Sequence, residues 1–340
     1  MNPERDRKSA EKKSLPAGGG VRILTLGKAL PSATMRNEDF EKTLDTSDEW
    51  IRTRTGILER RFCRRLNGEN ASSLAVHAAA LALEKAERTY HIQKEEIGLV
   101  ITATCSSRYE MPSTACIVQE ELGLKGGIPA FDLNAACSGF IYGLGTADAM
   151  MARMGISYGL VIGTEEMSRL LDMGDRSTCV LFGDGAAAAV VAFDRQADFA
   201  ADLGAAGDKE ALYSLSSVLR MDGRRVFRFA CLKLEEEIRK LEELSGIRAE
   251  DVDYIVCHQA NYRIIRYVQS RLGLPEEKFP MNLSSYGNTS AASIPLMLCD
   301  LQDEGKLTAG TRVFCVGFGA GLTWGAASLK FGGMIDETAK

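Results

Sequence analysis

Between Phe131 and Phe140 the chain reads FDLNAACSGF. Its apolar lead-in, Ile128 to Leu133, has the length and make-up of a short buried strand. After Asn134 the residues stay small until a helix-like pattern begins: Ala135, Ala136, Cys137, Ser138 and Gly139. A strand that turns directly into a helix is the repeating joint of α/β architecture. Free N–H groups at a helix start are electropositive, and small flanking residues leave room for a ligand. A structural cysteine needs neither feature, so Cys137 marks a candidate site.

Outward from this joint the order of elements is alternating. Val21 to Gly27, Gly98 to Thr104 and Gly159 to Thr164 read as strands, and GDGAAAAVVAF from Gly183 as a glycine-led strand. Asn37 is expected to cap a short helix through Leu44, and Ser47-Asp48-Glu49 opens another carrying Trp50. Asn70 to Lys85 has helical spacing, as does Pro112 to Leu122 with proline in the first turn.

The second half repeats the order. A long amphipathic helix, Val226 to Leu244, precedes DVDYIVCHQA, which matches EIGLVITATC in pattern. SSYGNTSAASIPLML then resembles the joint around Cys137, RVFCVGFGAG resembles GLVIGTEE, and TWGAASLKF resembles GAAAAVVAF. The pattern predicts an α/β fold of two duplicated halves, residues 21–196 and 197–333, each unable to bury its sheet alone. Residues 1–20, MNPERDRKSAEKKSLPAGGG, lack an apolar segment and are expected to form a disordered leader rather than a signal peptide.

The full chain has 340 residues, 45% hydrophobic and 26% charged, an ordinary globular balance. No apolar run approaches the roughly eighteen residues of a membrane-spanning helix. A net charge of -5 gives no case for nucleic acid. Nine scattered cysteines without C-x-x-C spacing argue against a disulfide framework or a zinc site, and for a cytoplasmic setting.

Three histidines allow elimination. His77 falls inside the alanine-rich helical stretch, where packing or partial exposure is its ordinary role, and His91 precedes the charged stretch QKEE. His258 closes an apolar strand, where ligand clefts form in α/β sheets. Asn288, in YGNTSAAS, suits a turn or cap, but the repeat places it at a joint like that of Cys137. Two glycine motifs, at Gly183 and Gly317, lack the strand–turn–helix context of a dinucleotide site and read as tight turns.

Taken together, TSDEWIRTRTGI, FDLNAACSGF, FGDGAAAAV, HQANYRII, YGNTSAAS and FGAGLTWG resemble the 3-oxoacyl-[acyl-carrier-protein] synthase III family, in order, from Val21 to Phe331. That resemblance implies a thiolase-like, five-layered αβαβα fold and a homodimer. It implies an initiating condensing enzyme of type II fatty-acid synthesis, with acyl-CoA and malonyl-ACP as substrates and no cofactor or metal. Cys137 would be the acyl-accepting nucleophile, with His258 and Asn288 completing the site and the backbone N–H groups of Cys137 and Ala320 holding the oxyanion. Trp50 and Arg54 would lie at the coenzyme A entrance, and Arg176 would stack on adenine opposite Trp50. Met111 and Phe318 would border the acyl pocket, Met111 by reaching into the partner subunit. Arg224, Arg225, Arg228, Arg263 and Arg266 would dock the acidic carrier protein, with Arg225/Arg228 and Arg263/Arg266 paired by spacing.

Three departures from the family pattern stand out. Ala320 replaces a glycine, Met111 stands where some members carry phenylalanine, and the segment between Ala192 and Met221 is short. The last two imply a pocket tolerant of longer or branched primers. Other readings are an acyltransferase of secondary metabolism with another acceptor, and a cysteine hydrolase. The hydrolase has the papain-like order Cys, His, Asn in its favour but no C-G-[SA]-C-[WY] signature around Cys137. An inactive partner of such a synthase is disfavoured by the intact triad.

Overall fold

The computed structural model describes residues 19–333. The expected leader lies outside them, apart from its last two residues. Strand β1 (Gly20–Ala29) leads into an excursion of β2 (Ala33–Arg36), α1 (Asn37–Glu41), α2 (Asp48–Thr55) and β3 (Glu59–Phe62). The chain continues through α3 (Ala71–Tyr90), β4 (Ile97–Ala103), α4 (Thr114–Glu121), β5 (Ala130–Leu133), α5 (Gly139–Met154), β6 (Tyr158–Glu165) and β7 (Gly185–Asp194). The second half holds β8 (Ala200–Asp208), the hairpin β9 (Leu212–Leu215) and β10 (Val218–Met221), α6 (Gly223–Ser245), β11 (Tyr254–Cys257), α7 (Tyr262–Leu272), α8 (Leu283–Tyr286), α9 (Ser293–Asp303), β12 (Arg312–Gly319) and β13 (Gly321–Lys330).

The duplication is legible in the sheets. One has the order β5-β4-β6-β7-β1 and the other β11-β12-β13-β8. In both, a parallel pairing (β4/β6, β11/β12) is followed by two antiparallel ones. Helices α5 and α9 form a shared apolar layer between the sheets, with Phe140, Ile141, Leu144, Ile294, Leu296 and Leu298 buried there. Helix α3 covers the outer face of the first sheet through Ala75, Ala78, Ala79, Ala82 and Ala86. Small residues set that spacing: a Cβ on Gly27 of β1 would meet the α3 backbone. Helices α6 and α7 cover the other sheet. The result is the duplicated αβαβα, thiolase-like fold.

Several local expectations shift for identifiable reasons. Asn37 is not a cap: Arg36 holds that position, and the buried Asn37 amide donates to Asp48 Oδ1 and the Ile57 carbonyl, both at 2.8 Å. Arg60 in turn donates to Asn37 Oδ1 at 2.9 Å. Helix α4 begins after Pro112 because the Ser113 hydroxyl accepts the Cys116 N–H and caps it. Helix α6 starts at Gly223, three residues before Val226, because the Asp222 side chain caps it by accepting from the Arg224 and Arg225 N–H groups. His77 is exposed, and His91 ends α3 in the left-handed region at φ 58. The short segment before α6 is the β9–β10 hairpin, turned by Ser216 and Ser217 at φ 52 and 61. Two central residues with positive φ make the turn that matches strand twist.

Gly163 of β6 passes beneath the second half so closely that a Cβ there would overlap the Ala291 carbonyl. Its counterpart by the repeat, Gly317 of β12, passes the Cys137 carbonyl, 3.7 Å from where a Cβ would lie. Gly163→Ala should therefore cost about 1–3 kcal/mol, since neither backbone can yield. Gly126→Ala, where a Cβ meets nothing within 4 Å, should be near neutral. Urea unfolding of both variants measures the difference.

Candidate active site

Cys137 lies on the 3-10 turn Ala136–Ser138, between β5 and α5. Ala136 sits at φ 47, a conformation that costs a non-glycine residue about 1–3 kcal/mol and persists only where surroundings impose it. Asn134 Oδ1 supports it by accepting the Ala136 N–H at 3.1 Å. The second half repeats the device on the turn Ser290–Ala292 before α9. Ser290 also has φ 47, and Asn288 Oδ1 accepts its N–H at 2.9 Å. Asn288 is thus the counterpart of Asn134, and Ala291 that of Cys137. With its oxygen engaged, the Asn288 amide keeps its N–H donors for other use.

The end of β12 closes over the Cys137 turn. A Cβ on Gly319 would lie 2.7 Å from the Cys137 backbone nitrogen. The Thr323 hydroxyl lies 2.9 Å from the Ala135 carbonyl, 3.1 Å from that of Ala320 and 3.3 Å from Ser138 Oγ. That hydroxyl ties the Gly319–Gly321 stretch, Ala320 included, to the corner that carries Cys137.

His258 follows β11 and is 1% exposed. Its N–H donates to the Val316 carbonyl at 2.8 Å, which fixes its backbone beside β12. Nδ1 lies 2.6 Å from Ser293 Oγ, and the ring meets Phe318 edge-on at 5.2 Å. Burial pushes the imidazole pKa down to about 3, so the ring is neutral. At Cys137 the electropositive helix start expected from the sequence is outweighed. Burial pushes its thiol up to about 12; the Ser290 hydroxyl opposes this by hydrogen bonding, and the Glu165 carboxylate adds to it. Loss of hydration outweighs the partial charge of the helix start, so the resting pair is neutral thiol and neutral imidazole.

His258, Asn288 and Phe318 line one narrow cleft with Phe182, Phe227 and Ile264. It shares Leu181, Met221, Gly223, Phe227 and Asn261 with a wider outer cleft of roughly 710 Å³. Cys137 lines neither; its turn packs against the turn Ser290–Ala292 that follows Asn288. Trp50, Arg54 and Arg176 all border the outer cleft. The guanidinium carbons of Arg54 and Arg176 lie 4.9 and 5.2 Å from the indole centroid. Arg176 thus rests on Trp50 itself and bonds to the Asp45 carbonyl, leaving no gap for a ring sandwiched between them.

The five arginines separate. Arg224, Arg228 and Arg263 border the outer cleft. Arg225 is instead paired with Asp208 at 2.5 Å, and Arg266 with Glu276 at 2.6 Å. The expected i,i+3 pairs are therefore split by acidic partners from other elements, and α6 presents the i,i+4 pair Arg224/Arg228. Met111 is 86% exposed on the loop before α4 and borders neither cleft.

Family comparisons place this geometry. The profile of 3-oxoacyl-[acyl-carrier-protein (ACP)] synthase III matches residues 131–207, and its C-terminal counterpart matches residues 242–331. The chain is 44% identical over 328 residues to beta-ketoacyl-[acyl-carrier-protein] synthase III of Clostridium acetobutylicum, covering 92% of this chain and 98% of the relative. It is 45% identical over 323 residues to the Acholeplasma laidlawii protein of that name, covering 94% and 99%. The crystal structure of the Aquifex aeolicus synthase III superposes with a TM-score of 0.86 at 43% identity, over 92% of this chain and all (100%) of that one. The priming beta-ketosynthase of the R1128 polyketide pathway gives 0.86 at 34% identity, over 94% and 98%. The chain belongs to the synthase III family.

Synthase III is an initiating condensing enzyme, an acyltransferase of fatty-acid synthesis, and so is this chain. Among the described residues no helix is long and apolar enough to cross a membrane. Sequence reading of this synthase missed Glu165, Ser290, Ser293 and Thr323. All four stand inside quoted stretches (Ser290 and Ser293 in YGNTSAAS, Thr323 in FGAGLTWG, Glu165 in GLVIGTEE), but the repeat aligns only Ser290 with the Cys137 corner, at Ala136. A buried neutral histidine has a stability signature. The unfolded chain binds a proton there near the ordinary pKa of about 6.5 and the native chain does not, so stability falls as pH drops from there toward 3. His258→Gln should flatten that loss by up to about 2 kcal/mol between pH 6.5 and 5, read from urea unfolding at each pH.

Proposed function

We propose that Cys137 accepts the primer acyl group from acyl-CoA and that His258 and Asn288 serve its condensation with malonyl-ACP. The observation that carries this reading is convergence: His258 and Asn288 border the inner end of a cleft whose mouth holds Trp50 and five arginines. Cys137 lies on the turn packed against Ser290–Ala292, whose Ser290 N–H donates to Asn288 Oδ1 and which runs into Ser293, the partner of His258 Nδ1.

In the first half-reaction the Cys137 proton passes to His258 as sulfur attacks the thioester carbonyl. The carbonyl oxygen becomes an oxyanion held by the N–H groups of Cys137 and Ala320. Coenzyme A leaves as its thiol, taking that proton. In the second, malonyl-ACP loses carbon dioxide, and the resulting enolate attacks the acyl-enzyme carbonyl. The Cys137 thiolate departs and takes a proton from solvent, and 3-oxoacyl-ACP is released. The enolate oxygen needs neutral donors, which His258 and Asn288 supply. Ser293 can accept from Nδ1 or donate to it, so the ring can serve as base in one step and donor in the next.

Trp50, Arg54 and Arg176 would meet the nucleotide end of coenzyme A, Arg176 moving off the indole to admit the base. Arg224, Arg228 and Arg263 would meet the acidic carrier protein and chiefly speed its association. Phe318 and, from a second subunit, Met111 would border the acyl chain. A homodimer suits the edge position of β5 and the exposed Tyr109 and Met111. Flexible methionine at this position and the short hairpin favour longer or branched primers. Nine free thiols suit a reducing cytoplasm.

Intact-protein mass after incubation with acetyl-CoA, or a longer primer, should rise by one acyl group in wild type and not in Cys137→Ala. Malonyl-ACP should discharge it as 3-oxoacyl-ACP. A wild-type chain that loads no primer, or whose acyl group malonyl-ACP does not discharge, overturns the reading. Asn288→Ala should still load, while its condensation rate falls about 10²–10³-fold in single-turnover assays.

A further inference from the structure

The proposed acyl transfer needs two backbone N–H groups held at one point, and they come from opposite halves of the chain. One belongs to Cys137, on the turn before α5; the other belongs to Ala320, on the bend between β12 and β13. Side-chain packing between the two segments can do little to set their spacing, because Ala135, Ala136, Gly319 and Gly321 carry nothing larger than a methyl group. Gly319 approaches so closely that a Cβ on it would lie 2.7 Å from the Cys137 nitrogen and 3.1 Å from Thr323 Oγ1. Gly321, on the other side of Ala320, has φ 138, a conformation open to glycine and strained for other residues. A bend with a glycine on each side of the donor has many conformations to lose, so something must hold it.

The group placed to hold it is one hydroxyl. Thr323 Oγ1 lies 2.9 Å from the Ala135 carbonyl, 3.1 Å from the Ala320 carbonyl and 3.3 Å from Ser138 Oγ. The Ala135 carbonyl also accepts the Ser138 N–H at 3.2 Å, which closes the turn around Cys137. A hydroxyl carries one hydrogen and two lone pairs, so Ser138 can donate to Thr323 while the Thr323 hydrogen is shared between the two carbonyls. Thr323 thus meets the residue two before Cys137, the residue after it and Ala320 itself. We propose that Thr323 is a positioning residue of the condensing reaction: its hydroxyl sets the distance between the Cys137 and Ala320 N–H groups that receive the oxyanion. This rests on Cys137 being the nucleophile and on those two groups being the donors. Thr323 acts through backbone carbonyls, not on the substrate. Without its hydroxyl the Ala320 peptide can rotate away, and a donor displaced by about 1 Å loses much of its hold on charge that develops only in the transition state. Strand propensity alone would be served as well by valine.

Two reactions of the same sulfur separate these roles. Acyl transfer from acyl-CoA to Cys137 passes through a tetrahedral oxyanion. Alkylation by iodoacetamide displaces iodide from a saturated carbon and forms none. Both rates are measured at one pH, by intact-protein mass with peptide mapping, in wild type, Thr323→Val and Thr323→Ser. Thr323→Val keeps the side-chain shape and removes the hydroxyl: acyl transfer at saturating acyl-CoA should fall about 10–10²-fold while alkylation keeps the wild-type rate. Thr323→Ser should recover most of that loss. A merely structural role would slow both reactions alike or neither, and either result overturns the proposal, as does a Thr323→Ser chain as slow as Thr323→Val. If Thr323→Val does not fold, Thr323→Ala takes its place with the same expected split. Wild type that loads Cys137 while the hydroxyl-free variants load equally fast rejects the role of Thr323 and leaves the nucleophile reading standing. Acyl loading at another residue sinks both.

Discussion

Two strand-to-helix turns pressed backbone against backbone set the geometry on which the rest depends. Gly163 admits the Ala291 carbonyl, and Gly319 admits the Cys137 nitrogen, at distances no side chain would allow. Ala136 and Ser290 hold the same left-handed φ of 47 at matching points. Neither half could impose that strain alone; each turn is braced by the strand of the other half. The duplication therefore does more than bury two sheets against α5 and α9. It places one thiol, one amide and the end of β12 around a shared point.

Burial then decides the protonation states. Loss of hydration raises the Cys137 thiol to about 12 and lowers His258 to about 3, so the site rests uncharged. A neutral pair suits a site that must meet a thioester, a malonyl carboxylate and an enolate in turn. In the proposed mechanism the nucleophile is generated only as the proton passes to the ring. Behind Ser290 stands the Glu165 carboxyl, which accepts from the Ser290 hydroxyl and whose pKa burial pushes up.

The legible parts of this chain were those governed by local pattern. Strands β4, β6 and β7, helix α3 and the small-residue corner all follow from local periodicity and residue size. The repeat, weak in side chains, was still enough to place Asn288 opposite Cys137. Misreadings arose where a distant group captured a residue. Asn37 looked like a cap but is claimed by Asp48 and Arg60. Arg225 and Arg266 looked like a docking face but are claimed by Asp208 and Glu276. Local spacing says which residues share a helix face, not what waits opposite it.

The amino-acid sequence by itself determined the family and the duplicated α/β order, and singled out Cys137, His258 and Asn288 as candidates, because motif order and residue chemistry are one-dimensional facts. The tertiary structure alone decided that the thiol is neutral at rest, that Arg176 rests on Trp50, and that Glu165, Ser290, Ser293 and Thr323 stand around the site. Those outcomes depend on burial and on contacts between residues more than a hundred positions apart, as between Glu165 and Ser290. Desolvation and long-range hydrogen bonding exist only once the chain has closed on itself.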